Sequence, residues 1–350
     1  MRSLLALVLL GQILGCLAIP PPLGAHLPQL LPCDLPEVEH AANIAVNHIN
    51  THTLHGYKYV LNVIEKAKMI PRRPHGEIYF LELDLLETHC HVLSPIPASN
   101  CTVRSRNEHA VEGDCNVKML KHEGDYKVLN VHCHSSPDSA EDLRRLCPDC
   151  PMLLPLNDAH VVGAVDKALA HFNAENNSIH YQLLEISRGQ SSHMPPATFV
   201  EFAVIATNCS AQDAQDHPQD CKPLTGEHAH FGFCKASVFE SNNPDAPALP
   251  KDVVDCSVFK HQAGHSHTHL TEHHLGKKVP SPGIGHTVLN LIHSHNDTHA
   301  SHESHSAELL VPAVQPVVKR AAATVPPLAP VPVAPGPQLC PGKIHFFKMD

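Results

Sequence analysis

Ile78-Tyr79-Phe80-Leu81-Glu82-Leu83-Asp84-Leu85, running on to Cys90, decides the fold, because the chain repeats the construction: Phe199-Val200-Glu201-Phe202-Ala203-Val204-Ile205 runs on to Cys209. Both stretches are apolar, alternate in part and are rich in strand formers, so each predicts a strand. A helical pattern lies upstream of each. Val38, Ala41, Ala42, Ala45 and Ile49 share one helical face, as do Val161, Val165, Ala168 and Phe172. Asp34-Leu35-Pro36-Glu37 reads as the cap and acidic first turn of the earlier helix, and Asn157 and Asp158 precede the later one. The two helices end in similar words, His48-Ile49-Asn50 and His171-Phe172-Asn173. Cysteines then step by 11, 14 and 18 residues (Cys90, Cys101, Cys115, Cys133) and by 12, 13 and 22 (Cys209, Cys221, Cys234, Cys256). Helix, strand and four spaced cysteines, met twice, make an internal duplication. The fold class is therefore α+β, each unit packing one helix on an antiparallel sheet. Neighbouring cysteines pair most economically as Cys90–Cys101, Cys115–Cys133, Cys209–Cys221 and Cys234–Cys256, although sequence alone leaves other connectivities open.

The flanks set the compartment. Arg2, the apolar run Leu4 to Leu10 and the small-residue end Gly15-Cys16-Leu17-Ala18 have the layout of a signal peptide over 1–18, cleaved after Ala18. No later run is long and apolar enough to span a membrane. Without Cys16, 12 cysteines remain, an even number that suits a closed disulfide framework in an oxidising, extracellular setting. A zinc finger needs paired short spacings, and only Cys147 and Cys150 are that close. Four sequons, at Asn100, Asn176, Asn208 and Asn296, point to a secreted glycoprotein. A net charge of −10 disfavours nucleic acid as a partner and suits cationic or mineral ones.

Specific words carry a family resemblance. Leu86-Glu87-Thr88-His89-Cys90-His91-Val92-Leu93, His109-Ala110-Val111-Glu112-Gly113-Asp114-Cys115, Ser135-Ser136-Pro137-Asp138-Ser139-Ala140-Glu141-Asp142 and the closing Cys340-Pro341-Gly342-Lys343-Ile344 are similar to the fetuin family. That resemblance implies two cystatin-like domains, at 19–146 and 152–260, joined by a disulfide linker at 147–151. It also implies the four bridges above, a Cys147–Cys150 bridge and a long Cys33–Cys340 tie. The remainder, 261–350, is expected to be a mostly disordered tail, first rich in histidine and then in proline, tethered by Cys340. Lys319-Arg320 is a dibasic site, and processing after Arg320 would leave two disulfide-linked chains.

No catalytic set emerges: there is no nucleophile elbow, phosphate loop or paired-histidine protease motif, and the framework uses every mature cysteine. The chain reads as a non-enzyme with no required cofactor. Cystatins that inhibit papain-type enzymes use a Gln-x-Val-x-Gly hairpin and a Pro-Trp hairpin. The corresponding stretches here are Met69-Ile70-Pro71-Arg72-Arg73-Pro74 and Ser192-His193-Met194-Pro195-Pro196, and the chain has no Trp. Papain-type inhibition is not expected, since fold does not carry function.

Three chemistries remain. Glu82 and Asp84 are two apart and so share a strand face, with Glu77 and Glu87 flanking them. Such a carboxylate row offers hard oxygen ligands to calcium, and the resemblance implies that calcium phosphate mineral is bound through the first domain and its precipitation limited. Phe80 stands where the family pattern leads us to expect an acid. Cys147-Pro148-Asp149-Cys150-Pro151 forms a small stiffened loop whose carboxylate suits the open position of a catalytic zinc. It resembles the motif by which one branch of the family blocks astacin-type metalloproteinases. A redox role is weaker, because the strand-helix-strand setting of a Cys-x-x-Cys motif is missing. Finally, residues 261–306 hold 12 histidines, among them His265, His267, His269, His273 and His274, which can ligate zinc or copper when neutral.

Overall fold

The computed structural model describes residues 28–72, 76–176, 178–217, 219–225, 228–239, 251–260, 285–289, 291–294 and 339–347. Helix α1 (Pro36–His52) buries Val38, Ala41, Ala42, Ala45, Val46 and Ile49. Three alanines in that stripe let the helix lie close on its sheet. Asp34 does not cap it. Leu35 holds the cap position without a side-chain bond, and Pro36 opens the first turn, needing no amide partner there. The Asp34 carboxylate instead accepts the amide of Lys343 at 2.6 Å.

Strands β1 (Gln29–Leu30), β2 (Tyr57–Pro71), β3 (Glu77–His91), β4 (Val111–His122) and β5 (Asp125–Pro137) form an antiparallel sheet in chain order. Tyr79, Leu81, Leu83 and Leu85 alternate onto the helix side with Val117, Met119, Val131 and Cys133, closing the first core. A short helix, α2 (Ala140–Leu146), leads out of this unit.

The second unit repeats the plan. Its strands are β6 (Met152–Leu153), β7 (Tyr181–His193), β8 (Pro196–Ala206), β9 (His230–Phe239) and β10 (Val253–Lys260), in the order β10-β9-β8-β7-β6. Helix α3 (Ala159–Glu175) is capped by Asp158, whose carboxylate accepts the His160 amide at 2.8 Å. It packs Val161, Ala164, Val165, Ala168 and Phe172 on Val200, Phe202 and Val204. A further short helix is α4 (Ala211–Asp216). Strands β2 and β7, each directly after its helix, complete two units that match the expected cystatin-like pair.

Six disulfides link Cys33–Cys340, Cys90–Cys101, Cys115–Cys133, Cys147–Cys150, Cys209–Cys221 and Cys234–Cys256. Cys115–Cys133 and Cys234–Cys256 staple directly opposite positions of paired strands.

Two pieces of the region read as tail are built into the fold. Residues 285–289 cross the seam between the units, and β11 (Leu291–Ser294) then adds to the edge of β5. Gly189 N donates to Gly285 O and Thr287 N to Ser187 O, which ties the crossing to β7. Leu289 enters the first core. The other piece, Leu339 to Phe347, lies along β2, with Gly342 N donating to Ile64 O and His345 N to Asn62 O. The expected disorder therefore does not extend to these stretches. Their apolar anchors and backbone pairing were not apparent beside the long histidine and proline runs.

Candidate functional site

The linker is held at both ends. Ser139 Oγ accepts the Asp142 amide at 3.4 Å and starts α2, and buried Leu143 pins that helix down. Cys147 N donates to Leu143 O at 2.7 Å as the helix stops. A turn follows: Cys150 N donates to Cys147 O at 3.2 Å, and the Cys147–Cys150 bridge closes it with Cα atoms 5.3 Å apart. Pro148 and Asp149 occupy this turn, and both are exposed. Beyond it, Gln190 Nε2 donates to Pro151 O at 3.4 Å, and Met152 and Leu153 pair with Ser191 and Gln190 of β7. The Asp149 turn thus stands beside the β7–β8 hairpin, whose tip presents Met194, 76% exposed. A compact loop, two prolines and strand pairing restrict where the carboxylate can go. That arrangement suits a group offered to an open metal position.

The four expected mineral-binding carboxylates do not form one exposed row. Glu82 and Asp84 share the sheet face turned away from α1, opposite Asn116 and Asp114 of β4. Glu82 pairs with Lys66 at 3.1 Å and is 46% exposed. Asp84 is buried, and Asn62 Nδ2 donates to its Oδ2 at 2.8 Å. The Glu112 carboxyl beside it is hydrogen-bonded to Asp84 as well. Burial and the neighbouring carboxylates raise Asp84 to about 6 and Glu112 to about 7. Glu77 lies on the opposite, helix-facing side, 3.7 Å from Lys121. Glu87 is buried between the units, where Arg104 Nε (2.8 Å) and Arg188 Nη1 (3.1 Å) donate to one of its oxygens. Period two correctly placed Glu82 with Asp84. It could not show that Glu112 and Asp114, from β4, complete the acidic cluster instead of Glu77 and Glu87.

The seam itself is ionic and aromatic. Arg104 forms a bidentate pair with Glu201 (3.1 and 3.0 Å), and Tyr57 Oη donates to Glu201 at 2.6 Å. Glu185 of β7 accepts the Gly56 amide at 2.8 Å and meets His55 at 2.9 Å. Hydrogen bonds and Coulombic attraction from His55 and His91 outweigh burial and hold its carboxyl far below the usual range. These charges join the two units.

Asn100 and Asn208 are exposed, while Asn176 is half-buried, its side chain donating to Phe172 O at the end of α3. Asn296, Ala18, Arg320 and the histidines at 265, 267, 269, 273 and 274 lie outside the described residues. Among the described residues, no three His, Cys, Asp or Glu side chains converge as a metal-binding set. No helix there is long and apolar enough to cross a membrane.

A cystatin-domain family model matches residues 150–243. The chain is 49% identical over 350 residues to antihemorrhagic factor cHLP-B of Gloydius brevicauda, covering 100% of both. It is 50% identical over 266 residues to alpha-2-HS-glycoprotein of Bos taurus, covering 75% of this chain and 71% of that one. Among solved structures it resembles mouse fetuin-B in complex with crayfish astacin. That match has a TM-score of 0.57 and 26% identity, covering 67% of this chain and 74% of that one.

Proposed function

This chain belongs to the fetuin family, and from that premise we propose that it is a secreted inhibitor of astacin-type zinc metalloproteinases, acting through Asp149. The observation that carries the reading is the exposed Asp149 turn, closed by Cys147–Cys150 and anchored by α2 on one side and β7 on the other. It is supported by the likeness to mouse fetuin-B in complex with crayfish astacin. The carboxylate replaces the zinc-bound water, and the stiff loop reduces the ordering cost of binding. Met194 at the neighbouring hairpin tip supplies apolar contact beside the cleft. In an inhibitor titration against an astacin-type enzyme, Asp149→Ala is expected to abolish inhibition. Asp149→Asn is expected to weaken it by ~100-fold, since an amide is a poorer zinc ligand. Equal inhibition by wild type and Asp149→Ala removes the reading.

A second reading rests on a different surface. The sheet face turned away from α1 carries Glu82, Glu112 and Asp114 above the buried Asp84. Such oxygens suit the calcium of a calcium phosphate surface, which takes hard ligands without needing a closed cage. Adsorption of the wild-type chain to hydroxyapatite tests it.

A further inference from the structure

One buried imidazole reaches both ends of the linker. Residues 139–152 carry α2 and the Asp149 turn, and His109, 4% exposed, lies between the residues that bound them. Its Nε2 meets Asp138 O at 2.8 Å, just before α2, and its Nδ1 meets the Leu153 amide at 3.3 Å, in β6. A carbonyl oxygen can only accept and an amide can only donate, so the ring carries its proton on Nε2 and a lone pair on Nδ1. The next amide points the other way, with Leu154 N donating to Gly189 O of β7 at 2.9 Å. Strand β6 is therefore gripped from both sides, by β7 and by His109.

The ring is itself held. His109 ends the one-turn helix Arg106–Glu108 in the left-handed region, φ 56°, where His is better tolerated than most side chains. Arg188 of β7 donates to His109 O at 2.5 Å and to Glu108 O at 2.6 Å. Charged groups face it from every element packed around it. Arg188 does so from β7. Asp138 does so from beyond the end of β5, its carboxylate accepting the Ser139 amide at 2.9 Å and lying 3.5 Å from Arg106. Glu108, the preceding residue, is paired with His89 at 3.2 Å. His286, on the crossing 285–289, lies within electrostatic reach. Burial lowers the proton affinity of His109, and Arg188 lowers it further against the opposing pull of Asp138.

We propose that His109 is the positioning residue of the inhibitory linker: its neutral Nε2–H form clasps Asp138 to Leu153 and so sets where Asp149 stands. The inference rests on the inhibitor reading and deepens it by naming what holds the loop from outside. The Cys147–Cys150 bridge fixes the shape of the turn, whereas His109 fixes its two supports, α2 and β6, relative to one another. A proton on Nδ1 would set N–H against the Leu153 N–H and open one side of the clasp. The fold favours the neutral ring relative to a free histidine, which titrates near 6.5. The clasp is therefore whole above about 6.5 and is lost as pH falls from there through the lower folded value.

The test sets the full-length secreted chain against an astacin-type enzyme, with two variants. Gly suits the left-handed position and removes both bonds, while Gln carries an acceptor and a donor on one amide and does not titrate. At pH 7.5, His109→Gly is expected to weaken inhibition roughly ten-fold, the effect of losing one or two hydrogen bonds. His109→Gln is expected to recover most of that loss. Between pH 7.5 and pH 5, the ratio of wild-type to His109→Gln affinity is expected to fall at least about three-fold. Taking the ratio cancels the titration of the enzyme and of the other groups of the inhibitor. A flat ratio overturns the proposal, as does full inhibition by His109→Gly. Hydrogen exchange at the Leu153 amide reads the clasp without any enzyme. It is expected to quicken in His109→Gly, and in the wild type relative to His109→Gln as the pH falls. Unchanged protection there overturns the proposal even where inhibition changes. If the wild type inhibits no astacin-type enzyme while the Leu153 amide responds as expected, the inhibitor reading falls and the clasp stands.

Discussion

Asp84 shows what a buried carboxyl costs when its neighbours are also acids. Burial disfavours its charged form, and Asp114 and Glu65 repel that form further, so it titrates near 6 instead of near 4. The folded state therefore holds this proton more tightly than the unfolded chain does. The resulting destabilisation is absent below the unfolded value, about 4, and is complete above the folded value, about 6. Asp84→Asn keeps an oxygen acceptor for Asn62 Nδ2 and removes the charge. It is expected to raise stability by about 3 kcal/mol at pH 8, with the gain vanishing toward pH 4. Denaturant unfolding at the two pH values checks this, and an equal effect at both would contradict it. At this scale the sequence is legible only within one strand. The alternation of Glu82 and Asp84 could be read off directly. Asp84's burial depends partly on Asn62, which sits at a bulge in β2 and also donates to Phe347 O. Glu87 was equally opaque, since one of its two arginines belongs to the other unit.

Among the elements, the two main helices were readable because their apolar residues recur at the helical period and nothing else along the chain competes with that pattern. The cap of α1 was misread because Pro36 made a capping side chain unnecessary. Strand β11 was hidden by its surroundings: a short apolar run next to many histidines has too few residues to declare a period. The crossing that leads to it is nonetheless tightly seated. A Cβ on Gly285 would come within 2.6 Å of Leu153 Cβ and 2.7 Å of Leu154 O, the second a backbone atom that cannot rotate away. Gly285→Ala is expected to lift this crossing from β7, costing about 1–3 kcal/mol by overpacking. Hydrogen exchange should then accelerate along the β5 edge that β11 covers, at Asn130 to Cys133. Unchanged exchange there would mean that the crossing and β11 are not mechanically linked.

At the scale of the molecule, duplication, α+β class and both units could be read from repeated spacings. The seam could not, because neither half contains enough of it to show a pattern: Tyr57, Glu87 and Arg104 come from one unit, and Glu185, Arg188 and Glu201 from the other. Buried pairs of this kind fix relative orientation more surely than they add stability. They thereby hold the Asp149 turn and the acidic sheet face turned away from α1 in one frame, so a single molecule can present both surfaces. The Cys33–Cys340 bridge has a separate consequence. It brings residues 307 positions apart to a Cα separation of 5.2 Å, where β1 leads into α1 and the final segment lies down on β2. The folded part thus meets itself like a ring with a clasp, and the order in which its pieces are synthesised need not matter to the finished object. A circular permutant that joins the stretch after Phe347 to the stretch before Gln29 through a short flexible linker, and opens between 295 and 338, is expected to fold with all six bridges and to keep its Asp149 turn. Non-reducing peptide mapping reads the outcome. Scrambled bridges would show that the native order of synthesis, not proximity in the finished fold, selects the partner of Cys33.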